Sequence, residues 1–353
     1  MQVSVLPSRD LQPHQVSRWL ELLDDRPGMD NPFLRPELVQ LAATVLPDVE
    51  VAILSARGEE CGYFAFERQS GDVAVPVTRF LSDFHAVVCA DDLPWTADEL
   101  IRGCGLKAWK FDHLLAHQRP FRKYHSFVDD SFFMDLSGGF DAWAEQRRAA
   151  GSSVVKQSAR KQRKLEREVG PLRFEAHTQD PAAWQALARW KAEQLLRLGY
   201  ADMFRLPWVN DLLAELRTME TTGCAPMLST LYAGDQLVAV HLGLRSPTVV
   251  SSWIPTFDHE YAKYSPGTIL QLEITRWAAA NGICRIDLCR GENQMKRSLA
   301  SGTFDVAVGS VDHRLLHRTL TRSYYGLRNL VHASPVRDVS LKAVRRLKAL
   351  AGR

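Results

Sequence analysis

The order of secondary-structure elements predicted between residues 172 and 308 constrains the fold of this chain more than any other feature. Alternating apolar residues and helical periodicity predict a strand, two helices, three strands, a helix, a strand, a short helix and a final strand. Three successive strands followed by strands that alternate with helices are incompatible with a doubly wound, all-parallel sheet. The order therefore predicts an α/β (α+β mixed sheet) fold with helices on both faces.

Turn residues mark the ends of these predicted helices. Asp180-Pro181 supplies an N-cap followed by proline at the first helical position, and Gly199 ends that helix. A second helix begins at Pro207. The helix predicted from about residue 267 to 281 ends at Gly282, a residue type that favours the left-handed conformation of a helix C-terminus.

Composition excludes several classes of protein. The chain has 353 residues, 46% of them hydrophobic and 24% charged, which is typical of a soluble protein with two ordinary domains. A net charge of +3 is too small to indicate a nucleic-acid-binding protein. The six cysteines lack zinc-knuckle or thioredoxin spacing, so we expect no metal site and a reducing compartment. No signal peptide or membrane span is evident, which predicts a cytoplasmic protein.

The chain before residue 137 mixes short strands and helices. Residues 49–54 and 62–66 flank Arg57-Gly58-Glu59-Glu60 and predict a hairpin, and residues 73–77 predict a third strand. Ser137-Gly138-Gly139 then interrupts the pattern. We therefore place a boundary there.

A basic helical segment follows this boundary, over residues 141–169. Four acidic residues are outnumbered by eight basic ones, which are Arg147, Arg148, Lys156, Arg160, Lys161, Arg163, Lys164 and Arg167. Two interpretations stay open. The basic residues either form a solvated helix face, or they form a docking surface for phosphate, an acidic substrate or tRNA.

Three motifs in the last part of the chain carry a family resemblance. They are Tyr264-Ser265-Pro266-Gly267-Thr268-Ile269-Leu270, Gly282-Ile283-Cys284-Arg285-Ile286-Asp287-Leu288, and Gly291-Glu292 with Lys296. With the element order, they resemble the GCN5-related N-acetyltransferase (GNAT) superfamily. Within it, the chain looks like the CelD/BcsL-type acetyltransferases, which are named for cellulose biosynthesis loci and related to the FemABX peptidyltransferases. The resemblance is specific over residues 258–296 and weaker at Asn31-Pro32-Phe33 and Leu81-Ser82-Asp83-Phe84-His85.

The resemblance implies tandem acyl-CoA N-acyltransferase-like domains, the first one degenerate. The predicted boundaries are 1–136 for the degenerate domain, 137–170 for the basic connecting helix, 171–312 for the acyltransferase domain and 313–353 for a basic helical tail. Strand–turn–strand units of similar length at residues 51–66 and 228–242 agree with an internal repeat.

The turn before the helix at residue 267 suits an acyl carrier, because a helix N-terminus offers backbone N–H groups and a partial positive charge to phosphates. Gly267 permits close backbone approach, although the arginine or glutamine and second glycine usual in the superfamily are absent. The resemblance further implies that the preceding strand pairs its backbone with the pantetheine arm. The expected residues that bind acetyl-CoA or another acyl-CoA are Trp253, Ile254, Tyr264, Ser265, Pro266, Gly267 and Thr268.

Four side chains are candidates for the chemistry of transfer. Glu292 follows a strand end and is expected to face the cleft as the general base. Asp287 lies within an apolar strand and needs a partner, for which Lys296 and Arg290 are the candidates, so it is either catalytic or half of a structural ion pair. His241 lies on a mixed strand face and is either a base or structural. Lys296 could neutralise a phosphate or a substrate carboxylate.

The resemblance implies an N-acyltransferase that moves an acetyl group directly to an amine or hydroxyl of a small molecule or a cell-envelope or polysaccharide precursor. Two alternatives stay open. One is an aminoacyl-tRNA-dependent FemABX-like peptidyltransferase, tRNA then being the expected nucleic-acid partner. The other is a non-catalytic accessory protein of exopolysaccharide synthesis.

The tail has ten lysine and arginine residues and one acidic residue between 313 and 353. Residues 339–351 have an amphipathic helical pattern with basic residues opposite leucines. This pattern fits a packing helix with a basic outer face. It also fits a contact with an anionic surface, which would make the protein peripherally membrane-associated.

Overall fold

A computed structural model describes residues 1–24, 29–219 and 221–314. The predicted basic tail lies outside the described residues from position 315 onward. Within the described part of the chain, no helix is both long and apolar enough to cross a bilayer.

The first half contains seven strands and three α-helices among its described residues. Their bounds are β1 Gln2–Pro7, α1 Pro13–Asp24, α2 Pro36–Val45, β2 Val49–Ala56, β3 Glu59–Gln69, β4 Val73–Val75, β5 Val88–Cys89, α3 Ala97–Gly103, β6 Ala108–Leu115 and β7 His125–Asp135. The predicted hairpin is present as β2 and β3, and the third predicted strand is β4.

The second half contains all the elements predicted for it, in the predicted order. Two helices, α4 Gly139–Ala149 and α5 Val154–Glu168, connect the halves. They are followed by β8 Leu172–Glu175, α6 Pro181–Arg197, α7 Pro207–Arg217, β9 Ala225–Ala233, β10 Gln236–Arg245, β11 Val249–Phe257, α8 Pro266–Ala280, β12 Arg285–Arg290, α9 Gln294–Leu299 and β13 Gly302–Asp312. The prediction of one continuous basic helix is wrong, because Gly151 adopts a φ of +82° between α4 and α5.

All described strands join one mixed sheet. Its order is β1-β2-β3-β4-β6-β13-β7-β12-β11-β10-β9-β8, with β5 added on β3. The β11–β12 and β4–β6 pairs are parallel, and the other strand pairs are antiparallel. The predicted mixed sheet is therefore confirmed.

The two halves exchange strands at the centre of this sheet. Strand β13, from the end of the second half, pairs with β6 and β7 of the first half. Strand β7 in turn pairs with β12 of the second half. As a result, neither half completes its own part of the sheet, and residues from both halves meet at the end of β12. The predicted domain boundaries stay a prediction.

Helices cover both faces of the sheet. One core cluster joins α1 and α2 to α6 and α7 through Trp19, Leu38, Trp190 and Leu212. A second cluster packs α4, α5 and α8 against the other face of the second half, with buried side chains that include Trp143, Leu165 and Ile274. Because α5 packs beside α8, the basic segment lies against the helix that the sequence predicts to hold phosphate.

Candidate acyl-transfer site

Strands β11 and β12 separate after a short parallel ladder. The ladder runs from Val249 opposite Arg285 to Ser251 opposite Asp287. Beyond that point β11 continues along β10, whereas β12 pairs with β7. The register of β11 against β10 shifts between Ser251 and Ile254, so β11 bulges where the separation begins. A wedge-shaped opening between two parallel strands, which we call the splay, therefore lies at the centre of the sheet.

The predicted pantetheine contacts, Trp253 and Ile254, lie on β11 along the splay. Their side chains are buried against the first half, and the Trp253 Nε1–H donates to the Leu81 carbonyl oxygen at 2.7 Å. The Trp253 ring also meets Phe33 edge-on, with ring centroids 5.8 Å apart. Only their backbone groups could therefore serve an extended ligand, which is the role that the resemblance implies.

The predicted phosphate turn lies at the N-terminus of α8. Ser265 adopts a left-handed conformation, with φ +54° and ψ +53°. Its carbonyl oxygen accepts from the amides of Thr268 and Ile269 at 3.0 and 3.2 Å. The left-handed conformation of a serine costs on the order of 1–3 kcal/mol and is often found at ligand sites.

Lys161 of α5 reaches this turn. Its Nζ donates to the Ser265 hydroxyl at 2.5 Å, which places a cation at the N-terminus of α8. Sequence reasoning left Lys161 among eight basic residues without distinguishing it. The packing of α5 on α8 selects it from the others.

A pocket of about 510 Å³ opens beside this turn, between α5, α8 and α9. Its lining includes Ser265 and Thr268 together with the basic residues Lys161, Arg147 and Arg297. We call it the cationic pocket. Three basic side chains and a helix N-terminus around one cavity are suited to phosphate groups.

Tyr264 and Pro266 are more buried than the rest of the predicted phosphate turn. The Tyr264 hydroxyl donates to Glu168 at 2.7 Å, and only 3% of the residue is exposed. Its side chain thus ties the end of α5 to the turn. At Gly267, an added Cβ would lie 3.3 Å from the Phe257 ring, so larger residues there would crowd the turn.

The partner predicted for Asp287 is wrong. Its carboxylate binds Arg285 at 2.8 Å and accepts from the Asn31 amide at 2.7 Å, whereas neither Lys296 nor Arg290 contacts it. Arg285 and Asp287 lie two residues apart on one strand, so both side chains point to the same face. Burial raises the pKa of Asp287 despite the Arg285 cation. The contacts favour the structural interpretation, with Asn31 joining the first half to the second.

We expect Arg285→Met to lower the free energy of unfolding by about 3–5 kcal/mol, because it leaves the buried carboxylate without its cation. The double variant Arg285→Met/Asp287→Asn should show a much smaller decrease in the free energy of unfolding. Urea denaturation of the wild type, both single variants and the double variant measures the coupling. Additive losses would show that the ion pair does not act as a unit.

Lys296 and Glu292 flank the end of β12. The Lys296 ammonium donates to the carbonyl oxygens of Cys289 and Arg290 at 3.0 and 2.8 Å. Burial lowers its pKa. Glu292 is about half exposed and forms an ion pair with Arg297, a residue of the cationic pocket. Glu292 thus contacts a residue of the cationic pocket without lining the pocket, and its predicted role as the base stays a hypothesis.

His241 is buried on β10 next to the bulge of β11. Its Nε2 lies 2.8 Å from the Ser252 hydroxyl, which donates to Gln271 of α8 at 3.2 Å. Ser252 therefore accepts from the imidazole, so the proton is on Nε2. Burial lowers the pKa of His241 to about 4, so the ring is neutral at pH 7. These contacts fit a structural role in fixing the bulge.

Sequence reasoning missed an acidic group of the first half that lies near Lys296. Asp83 follows β4 in the first half and lies near the Cys289 thiol and the Lys296 ammonium. Burial raises its pKa, although His113 and Lys296 oppose the shift. One fifth of its side chain is exposed, so a substrate could reach it. The motif that contains Asp83 carried part of the resemblance, but nothing in the sequence placed it beside β12.

Lys191 of α6 lies on the β11 side of the splay. Its ammonium donates to the Pro255 carbonyl oxygen at 3.3 Å, and burial lowers its pKa to about 8. Asp83 acts in the opposite direction on this pKa, which places the two groups near each other. Asp83, Lys191, Lys296 and Cys289 form a polar cluster at the splay, and shifted pKa values are typical of functional sites.

Comparison with known proteins identifies part of the chain directly. Residues 152–297 match the family model of the acetyltransferase (GNAT) domain. The match includes α5, the splay, the predicted phosphate turn and Lys296. No curated protein matches the chain.

Solved structures match over most of the length. FemX shares 9% identity with a TM-score of 0.59 and covers 91% of this chain and 100% of its own. The C-terminal domain of a putative lysylphosphatidylglycerol synthetase from Agrobacterium fabrum shares 13% identity with a TM-score of 0.53, and the match covers 87% of this chain and 94% of that domain. A tandem GNAT protein from the clavulanic acid biosynthesis pathway shares 11% identity with a TM-score of 0.53, and the match covers 89% of this chain and 99% of that protein. The chain therefore has the tandem GNAT fold and contains a GNAT-type N-acyltransferase domain.

Proposed function

We propose that this protein transfers an acyl group from acyl-CoA to an amine at the splay between β11 and β12. One observation carries the proposal. The splay has a cationic pocket at one side, beside the N-terminus of α8, and a buried acid–base cluster at the other. A long donor with phosphates at one end and a reactive carbonyl at the other would fit this arrangement.

Positive charge supports the assignment of the donor end of the site. Lys161, Arg147 and Arg297 line the cationic pocket and would pair with the phosphates of CoA. The β11 backbone between Ser252 and Phe257 runs along β10 on one side and faces the splay on the other. Its free edge would pair with the amides of the pantetheine arm, as the family resemblance implies. The thioester would then lie toward the end of β12.

The reacting end needs a base, because an amine is mostly protonated at neutral pH and attacks only when neutral. Asp83 has a raised pKa and a partly exposed carboxylate, which suit it to accept this proton. The neutral amine attacks the thioester carbonyl, the C–S bond breaks, and the second amine proton leaves with the CoA thiol. Lys191 and Lys296 lie near Asp83 and favour its ionised, proton-accepting form.

The acceptor class follows from the family resemblance rather than from the pocket. The CelD/BcsL resemblance favours a cell-envelope or polysaccharide precursor, including those of cellulose or other exopolysaccharides. An acceptor would enter between the halves, near Asp83 and Lys191. A small-molecule amine would use the same entrance.

An aminoacyl-tRNA donor is the second candidate. FemX and the lysylphosphatidylglycerol synthetase domain share the fold, and α5 presents an exposed basic face beyond Lys161. Arg160, Arg163, Lys164 and Arg167 form this face, which one CoA molecule would not need.

Titration calorimetry with CoA, acetyl-CoA and an aminoacyl-tRNA distinguishes these donors. We expect CoA and acetyl-CoA to bind with similar affinity, because most contacts are to the nucleotide and pantetheine. Thiol release from acetyl-CoA in the presence of a panel of primary amines then tests transfer. Failure of both CoA and acetyl-CoA to bind would refute the proposal, and binding of aminoacyl-tRNA alone would favour the second candidate. Binding of CoA without thiol release for any amine would support an accessory role.

A further inference from the structure

A histidine of the first half lies between two carboxylates at the edge of the splay. His113 Nδ1 lies 3.1 Å from Asp112 Oδ1, and His113 Nε2 lies 3.6 Å from Asp83 Oδ1. His113 is buried, whereas 41% of the Asp112 side chain is exposed. The three groups thus lead from the reacting end of the site to solvent. We propose that Asp83, His113 and Asp112 form a proton relay, an inference that rests on the proposed transfer with Asp83 as base.

A β-bulge makes this arrangement possible. In a regular strand, the side chains of Asp112 and His113 would point to opposite faces. In β6, Leu114 pairs with Ala307 and Phe111 pairs with Gly309, so both residues lie opposite Val308 of β13. Such a bulge redirects side chains and is common next to active sites. Because β13 comes from the second half, the exchange of strands creates the pair.

The hydrogen bonds fix the protonation of His113. An ionised Asp112 only accepts, so the proton of neutral His113 lies on Nδ1, and the lone pair of Nε2 faces Asp83. Burial opposes ionisation of Asp112, but the hydrogen bond from His113 and nearby positive groups lower its pKa to about 2. The separation of 3.6 Å from Asp83 is long for direct transfer, and such contacts often shorten when substrate binds.

His85 supports this geometry from the neighbouring segment. Its Nδ1 accepts the His113 backbone N–H at 3.4 Å, and its Nε2 donates to the Ser82 carbonyl oxygen at 3.2 Å. Burial lowers the pKa of His85 to about 3, so it stays neutral. Donor atoms of His85, Asp112 and His113 lie within 4.8 Å of one another, a spacing that could hold a metal ion. Both ring nitrogens of His85 are already engaged, however, so the group does not fit a metal.

Charged groups surround both carboxylates of the relay. Arg290 donates to the Asp112 carbonyl oxygen at 2.5 Å and lies near its carboxylate. Lys296, Lys191 and the Cys289 thiol surround Asp83. These cations favour release of a proton from His113 once it has been taken up, so the relay would return to its resting state.

Both protons that the acceptor ammonium loses have a destination. The acceptor ammonium gives one proton to Asp83, which passes it to Nε2 of His113. The imidazolium, stabilised by the Asp112 carboxylate, loses its Nδ1 proton to water. One proton thus reaches solvent for each amide formed, and the second amine proton stays with the CoA thiol.

Nitrogen-15 NMR of the histidine rings tests the relay on the whole protein without ligand. We expect the Nδ1–H form of His113 and the Nε2–H form of His85 at neutral pH. Asp112→Asn should weaken the preference for the Nδ1–H form of His113, because an amide can accept from Nδ1 or donate to it, whereas an ionised carboxylate only accepts. Asp130→Asn is the matched control, on an exposed residue of β7, and should leave the preference for Nδ1–H unchanged.

Three results would overturn the relay. They are the Nε2–H form of His113 in the wild type, an unchanged balance of the two ring forms in Asp112→Asn, or one equivalent of zinc retained by the wild type and lost in His113→Gln. The pH dependence of thiol release from acetyl-CoA gives the catalytic readout, and its acid limb should shift with Asp112→Asn at constant KM for acetyl-CoA. If CoA binds but the proton of His113 lies on Nε2, the relay is refuted and the proposed transfer is not. If CoA does not bind, the proposed transfer is refuted, and the relay is refuted with it.

Discussion

Lys161→Glu is expected to weaken CoA binding by at least ~30-fold, equivalent to about 2 kcal/mol, which is typical of a lost charge-assisted hydrogen bond. Lys161 contacts the predicted phosphate turn through a hydrogen bond to the Ser265 hydroxyl. The substitution also places a negative charge in the cationic pocket, where it would repel phosphate. Titration calorimetry with CoA measures the loss. The melting temperature should change little, because Lys161 lies outside the apolar core.

Arg163→Glu is the matched control for this variant. It makes the same change of charge two residues along α5, at an exposed position outside the lining of the cationic pocket. We expect at most a few-fold loss in CoA affinity, since screening by salt reduces the effect of distant surface charges. Equal losses in the two variants would mean that general surface charge, rather than a phosphate site at Ser265, governs binding.

Asp83→Asn is expected to lower kcat by roughly 10²–10⁴-fold, the usual contribution of a general base. The affinity for acetyl-CoA should stay the same, since the Asp83 side chain lies outside the cationic pocket. Asparagine keeps the size of the side chain and can still interact with Cys289 and His113. Thiol release with an accepted amine from the panel gives kcat, and calorimetry gives the affinity for the donor.

Glu292→Gln is the informative comparison, because the sequence favours Glu292 as the base. The ion pair of Glu292 with Arg297 instead predicts a change in donor affinity and little change in kcat. A loss of kcat in Glu292→Gln together with normal turnover in Asp83→Asn would reverse the assignment. Both variants replace a carboxylate by an amide, so a difference in kcat between them depends only on the position of the residue.

Local patterns were sufficient to predict the elements of the second half. The period of apolar residues, the Asp180-Pro181 helix start and the glycine after α8 depend on residues close in sequence. The break between α4 and α5 was missed, because serine and alanine around Gly151 are compatible with a helix. Similarly, the motif around Ser265 predicted the turn but not the lysine that reaches it from α5.

The partners of the buried charges could not be predicted from sequence. Asp287 contacts Asn31, which is 256 residues away, and no periodicity relates two such positions. The choice of Lys296 or Arg290 rested on nearness in sequence, whereas strand geometry assigns Arg285. Glu292 was predicted to face the cleft because it follows a strand, but its direction depends on the loop that leads into α9.

The sequence by itself determined the mixed sheet, the position of the turn before α8 and the class of domain, because each depends on short-range patterns and a recognisable motif. Only the tertiary structure decided which groups meet at the splay. The exchange of β7 and β13 brings Asp83, His113 and Lys296 together from two halves of the chain. The bulge that aligns Asp112 with His113 arises from the pairing of β6 with β13, and strand pairing is set by long-range packing rather than by local sequence.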